Sequence, residues 1–234
     1  MDLQEYEALE KHRLEINIGH MENGVNFVDL RTAYIDETVK IGRGTTIGPC
    51  VILEGNVTIG KDSTIGQNSK IVDSVIGEAT IIENSVIMKS KVGDKTSVGP
   101  FAYIRPDSEV GNGCKVGDFV EIKNSTMGDG SKAAHLTYVG DADLGKNINL
   151  GCGVVFVNYD GSNKYRTTVK DGAFIGCNTN LVSPVVIEEK AYIAAGSTVT
   201  RNVPGGALYV ARSKGKLLEG WVEKRGILNR KKNK

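Results

Sequence analysis

A six-residue step restricts this chain more than any other feature of its sequence. From Ile41 to Gly176 an aliphatic residue followed by glycine recurs about fourteen times. Ile41-Gly42 and Ile47-Gly48 stand six apart, as do Ile59-Gly60 and Ile65-Gly66, Val92-Gly93 and Val98-Gly99, and Val110-Gly111 and Val116-Gly117. Four places after each aliphatic residue comes a small or β-branched one, such as Thr45, Val51, Ser63, Thr96, Ala102, Cys114 or Val120, and the frame resumes at Ile175, Leu181, Ile187 and Ile193. Six residues are too few for an amphipathic helix. They suit a short strand and a tight turn, with the aliphatic side chain inside and glycine supplying backbone geometry closed to other residues. Such a unit cannot bury its apolar face alone, so copies must stack. Three steps close a triangular coil of about 18 residues. The span from Ile35 to Val203 predicts about nine coils, a prism roughly 40 Å tall at strand spacing. Steps of five residues, at Ile71–Ile76, Ile122–Met127 and Val139–Leu144, mark tighter turns.

The pattern lapses over residues 157–173, a polar stretch that reads as a loop thrown from a rigid scaffold, a common place for function. The ends are free of the repeat. Residues 2–17 predict a short helix with a loose apolar stripe of Leu3, Tyr6, Leu9 and Leu14, ended by Gly19. Three segments follow: 1–20 as helix and linker, 21–205 as the repeat domain, and 206–234 as a C-terminal arm with a basic tail. Trp221, the one tryptophan, is expected to pack against the prism or a neighbouring subunit. The final NRKKNK reads as a solvated tail.

Twenty-nine basic against 28 acidic residues leave a net charge of +1, which argues against nucleic acid or a membrane surface as the main partner. No signal peptide or apolar run long enough to span a membrane is visible, so a cytoplasmic protein with reduced thiols is expected. Cys50, Cys114, Cys152 and Cys177 show no CxxC spacing, which speaks against a zinc ribbon or a redox dithiol.

Stacking turns sequence spacing into proximity. Arg105 follows Ile104 and Lys123 follows Ile122, three steps later, so the two cations should share one corner of adjacent coils. At that spacing they repel by about 0.8 kcal/mol even at water's dielectric constant. Either Glu121 or solvent neutralises them, or they hold an anion such as a phosphate, with Lys164 of the loop as a possible third cation. His135 is the sole histidine inside the repeats and precedes a polar group of Tyr138, Asp141 and Asn149, while Cys152 occupies the equivalent slot one coil later. A lone histidine is more often structural than catalytic; its polar surroundings favour a catalytic role. One repeat histidine per chain cannot make a three-histidine zinc site, so no metal is expected.

The runs FAYIRP (101–106), VGDFVEIKNS (116–125), KAAHLTYVGDADLG (132–145), NYDGSNKY (158–165) and IAAGSTVTRNV (193–203), with EGW at 219–221 and GHMENGV near the start, carry a resemblance. Together they resemble the acetyltransferase, C-terminal half of the bacterial bifunctional N-acetylglucosamine-1-phosphate uridylyltransferase/glucosamine-1-phosphate N-acetyltransferases, within the hexapeptide-repeat acyltransferases. The resemblance implies an all-β, left-handed parallel β-helix and a homotrimer with sites between subunits, each closed by a neighbour's C-terminal arm. It implies His135 as general base; Arg105, Lys123, Tyr138, Asn149 and Lys164 as holders of the sugar phosphate; and Cys152, Asn158, Tyr159, Cys177, Ala195 and Arg212 around acetyl-CoA. Relatives of this kind carry Ala or Ser where this chain has Cys152 and Cys177. The uridylyltransferase half has no counterpart here, so the chain is not expected to make UDP-N-acetylglucosamine alone, and a separate uridylyltransferase is a possible partner.

The implied chemistry is acetyl transfer from acetyl-CoA to the amine of glucosamine-1-phosphate. An ammonium has no lone pair, so a base must take its proton as attack occurs. Backbone donors or Asn158 would stabilise the oxyanion, and neither a covalent acyl-enzyme nor a metal is required. The cysteines read as packing residues. Two other readings stay open: an acyltransferase for a different amino sugar or its nucleotide, and a non-catalytic trimeric scaffold.

Overall fold

The structure, a computed structural model, describes residues 1–227. Thirty short strands wind into three parallel sheets of eleven, ten and nine strands, which form faces A, B and C of a prism. Face A runs from Asn26–Phe27 to Leu208–Tyr209, face B from Tyr34–Ile35 to Thr198–Val199, and face C from Lys40–Ile41 to Val186–Ile187. The chain visits A, B and C in turn, so each strand pairs with one a full coil later. There are about ten coils rather than nine, because pairing begins at Asn26 and runs to Tyr209, beyond both ends of the Ile35–Val203 span. At strand spacing the prism is about 48 Å tall.

Register puts like on like. Ile41 pairs with Ile59, Ile47 with Ile65 and Leu53 with Ile71, all but Ile41 fully buried in one continuous core. The five-residue steps shorten a coil without breaking this alignment: Ile104 pairs with Ile122, and Ile122 with Val139.

The repeated glycine has a different purpose from the expected one. Most left-handed corners are taken by residues with side chains, among them Asn68, Asp73, Asn124, Asp141 and Asn147. The glycine after the aliphatic residue is needed for close approach. A Cβ on Gly117 would lie 1.9 Å from the Ala134 carbonyl oxygen of the next coil. The small residues form a second ladder. Thr45, Ser63, Thr80 and Thr96 each accept a backbone N–H from the next coil and donate to a carbonyl, as in Ser63 N–H to Thr45 Oγ1 at 3.1 Å and Thr45 Oγ1 to the Gly60 oxygen at 2.8 Å. Cys114 takes a rung of this ladder, and its burial pushes the thiol pKa up.

The first coil has no coil beneath it, which leaves the carbonyls of Leu30, Arg31 and Ala33 facing the N-terminal end. Helix α1, Leu3–Glu22, covers them. Asn17, fully buried, donates to the Leu30 and Ala33 carbonyls at 2.9 and 3.0 Å, and Arg13 donates to those of Arg31 and Ala33. Asp2 and Glu5 form a capping box at its start. The helix is longer than expected because Gly19 sits within it and Asn23 caps it. The stripe also differs: Ile16, Asn17 and Arg13 face the prism, whereas Leu3, Tyr6 and Leu9 are exposed. At the other end residues 212–225 lie exposed, with a short helix α2 at Trp221–Lys224. Trp221 is 44 % exposed and its ring lies under Arg225, so within one chain it does not pack on the prism. The NRKKNK tail lies outside the described residues. No helix among the described residues is long and apolar enough to cross a membrane.

Candidate active site

The corner between faces A and B carries a vertical column of side chains. Each occupies the position just before the corner residue: Asp118, His135, Cys152, Cys177 and Ala195. Backbone bonds tie successive rungs together, from Leu136 N–H to the Asp118 oxygen, Asn178 N–H to the Cys152 oxygen and Gly196 N–H to the Cys177 oxygen, at 2.9, 2.8 and 2.8 Å. Arg212 continues the line by donating to the Ala195 carbonyl at 2.7 Å. His135, Cys177, Ala195 and Arg212 are exposed and Cys152 is half-buried.

His135 ends the face A strand Lys132–His135, and its register partner is Asp118. His135 Nδ1 lies 2.5 Å from Asp118 Oδ1. The hydrogen bond with His135 holds the Asp118 carboxyl below the usual range, so near neutrality it is a carboxylate and only accepts. The proton of a neutral imidazole is thereby fixed on Nδ1, and the Nε2 lone pair is left outward with no hydrogen-bond partner among the described residues. Asp118 escaped the sequence reading. Its signal was the 17-residue separation from His135, one coil containing a five-residue step.

Around the corner, on face B, lie the polar groups. Arg105 and Lys123 do occupy the same place on adjacent coils, since Arg105 N–H donates to the Ile122 carbonyl and Ile104 pairs with Ile122. They are not a bare cation pair. Arg105 Nη1 donates to Glu121 Oε1 at 2.7 Å, and Lys123 Nζ to both oxygens of Asp141 at 3.0 and 3.1 Å. The expected repulsion is cancelled by two carboxylates, Glu121 among them.

Asp141 is the hub of this face, 3 % exposed. Burial pushes its pKa up, but hydrogen bonds from Asn124, Lys123 and Asn158 win and hold it below the ordinary range. Asn158 donates through its amide nitrogen to Asp141 and reaches the Tyr138 hydroxyl at 3.5 Å. That nitrogen is therefore committed, which disfavours the oxyanion role expected of the Asn158 side chain. Gly140 makes room for the tyrosine, because a Cβ there would lie 2.3 Å from the Tyr138 hydroxyl oxygen.

The polar loop leaves the prism over residues 158–166, and the strand Thr167–Val169 resumes face C by pairing with Ala142–Leu144. Arg166 anchors the loop's far end on Asp143, at 2.6 and 3.0 Å, and on the carbonyls of Asn124 and Ala142. Tyr159 and Lys164 are exposed on the loop, where an antiparallel bridge joins them. Asn149 sits on face A, in register with Lys132 and Phe174, across the corner from Tyr138. One chain thus brings together Tyr138, Lys123, Asp141 and Asn158, sets Arg105 beside them, and puts Asn149 on the neighbouring face. Asn124 and Arg166 were not foreseen: Asn124 is the corner residue one coil before Asp141 and donates to it, whereas Arg166 depends on how the loop folds back.

Comparison with known proteins agrees with the stacked hexapeptide fold. The bacterial transferase hexapeptide model (six repeats) matches residues 38–73 and 89–124. A bifunctional protein GlmU of Clostridioides difficile is 57 % identical over 218 residues, 93 % of this chain and 48 % of that protein. Another, from Clostridium beijerinckii, is 56 % identical over 227 residues, 97 % of the chain and 50 % of the relative. The chain is a hexapeptide-repeat protein homologous to the C-terminal region of GlmU. It spans about half the length of these relatives. A solved UDP-N-acetylglucosamine acyltransferase of Arabidopsis shares the fold, with a TM-score of 0.53 at 18 % identity, covering 83 % of this chain and 76 % of that one.

Proposed function

We propose that this chain is an acetyl-CoA-dependent glucosamine-1-phosphate N-acetyltransferase. The observation that carries the reading is the column at the A–B corner: a histidine oriented by a carboxylate, its Nε2 outward, on the same line as Cys152, Cys177, Ala195 and Arg212. The homology to GlmU proteins and the NYDGSNKY and AHLTY runs support the same reading.

In this reading acetyl-CoA lies along the column, with Arg212 toward its phosphates and its thioester near His135. The amino sugar lies over face B. Arg105 meets its phosphate by exchanging Glu121 for the ligand, and Tyr138 and Lys123 line the sugar. As the amine attacks the thioester carbonyl, His135 Nε2 takes the amine proton and Asp118 stabilises the resulting imidazolium. Collapse of the tetrahedral intermediate releases the thiolate of coenzyme A. Orientation of the two substrates supplies much of the acceleration. Asn158 positions Tyr138 and the loop.

His135 has more than half its side chain exposed, so a single chain leaves the base in open solvent. A homotrimer would enclose it, with a neighbour's arm, residues 206–227, over the column and Asn149 or Lys164 reaching the sugar from another copy.

The test is acetyl-CoA turnover with glucosamine-1-phosphate, glucosamine-6-phosphate and UDP-glucosamine as acceptors, with products identified by mass. Selective acetylation of glucosamine-1-phosphate is expected. His135→Ala should lower turnover by about 10² or more with the fold retained. Equal turnover in that variant, or preference for another acceptor, would overturn the assignment.

A further inference from the structure

Cys152 and Cys177 are absent from each other's neighbourhood in sequence, yet the coil makes them adjacent. Asn149 pairs with Phe174 and Leu150 with Ile175, and the alignment continues through Gly151 opposite Gly176 to Cys152 opposite Cys177. The Asn178 N–H bond to the Cys152 carbonyl fixes that last step at 2.8 Å. Strand spacing then sets the two Cα atoms about 4.8 Å apart, inside the window of roughly 4.4–6.8 Å that a disulfide spans. Side chains at this column position do meet across one coil, as His135 and Asp118 show two rungs earlier. Both thiols are free and reach solvent, Cys177 exposed and Cys152 half-buried. Cys114 is buried in the hydroxyl ladder, and Cys50 lies several coils away.

We propose that Cys152 and Cys177 form a dithiol that low-molecular-weight disulfides close to a cystine, which shuts the corner column to the acyl donor. The closing of the column rests on the acetyltransferase reading; the pairing of the thiols does not. One cysteine thiolate attacks a sulfur of the disulfide, forms a mixed disulfide and expels one small thiolate. The second cysteine thiolate attacks the protein-side sulfur and expels the other. The small disulfide is reduced to two thiols, which carry off both cysteine protons, and the protein pair is oxidised. The lack of a CxxC motif does not argue against such a pair when stacking supplies the proximity.

The experiment treats the full chain with 2-hydroxyethyl disulfide in a Cys50→Ser background and follows intact mass, peptide cross-links and acetyl-CoA turnover. Expected are a mass lower by two hydrogens, a Cys152–Cys177 cross-linked peptide, and turnover reduced about tenfold or more until dithiothreitol restores it. Cys177→Ser should keep one added mercaptoethanol group and show no internal cross-link. Stable mixed adducts in the unsubstituted pair, or cross-links only between molecules, would overturn the pairing. A cross-link that leaves turnover unchanged would overturn the closing of the column. If the reduced protein acetylates no amino sugar while the cross-link still forms, the failure belongs to the acetyltransferase reading, and the same outcome overturns closure as control of that activity.

Discussion

A carboxylate one coil below a histidine fixes which ring nitrogen holds the proton and stabilises the charged ring once it has taken a second one. Asp118→Asn keeps the shape and removes the charge. Its kcat/KM should fall between about tenfold and hundredfold, less than for His135→Ala, with the Tm little changed because the pair is exposed. The Asp118 pKa is depressed in the folded state, so its contribution is present above the ordinary value of about 3.9 and is lost only as pH falls through the lower folded one. A rate profile between about pH 5 and 8 should therefore show no Asp118 ionisation. The same sign holds for Asp141, also depressed, whose loss has a structural consequence. Asp141→Asn should cost about 1–3 kcal/mol in thermal unfolding at neutral pH, and hydrogen exchange should rise across residues 158–166. Tyr138 and Lys123 were legible at this scale because the repeat counts to them. Arg166 was not, because an irregular loop returns it to the corner.

Among the elements, the repeat was the easiest to read and the ends were the hardest. An aliphatic residue with a small partner four places on states which side chains enter the core. It does not state why glycine stands between them. Gly117 answers that question through contact with Ala134, whereas Gly113 has nothing within 4 Å of a Cβ and a φ of +61°. Gly113→Ala should therefore cost about 1 kcal/mol for its left-handed backbone alone. Gly117→Ala should cost about 3 kcal/mol or more by pushing two coils apart. Denaturant unfolding of the two variants separates the explanations. The terminal helix was misread because its apolar letters suggested the buried side, while the prism end presents carbonyls and takes Asn17 and Arg13. Asn17→Ala should lose about 1–3 kcal/mol, and Leu9→Ala, on the exposed side, less than about 0.5 kcal/mol.

For the molecule as a whole, the three-sided column was readable from one period, and so was the stacking of Arg105 on Lys123. The sequence could not show that Glu121 and Asp141 neutralise those cations, since ion pairing depends on side-chain reach rather than on count. Nor does it show what the exposed arm touches. If another copy receives it, acrylamide quenching of Trp221 should be weak at micromolar concentration and strengthen on dilution as trimers separate. Equal quenching across that range would leave the arm in solvent. Because every contact across coils is in register, axial distance in this molecule is quantised, and the rung is its smallest unit. A whole extra rung spliced in near residue 70 should leave the corner column as it is. The same splice between Gly153 and Phe174 would move Cys177, Ala195 and Arg212 away from His135 by about 4.8 Å together, so the reach of any molecule lying along that edge is set by how many rungs separate its two ends.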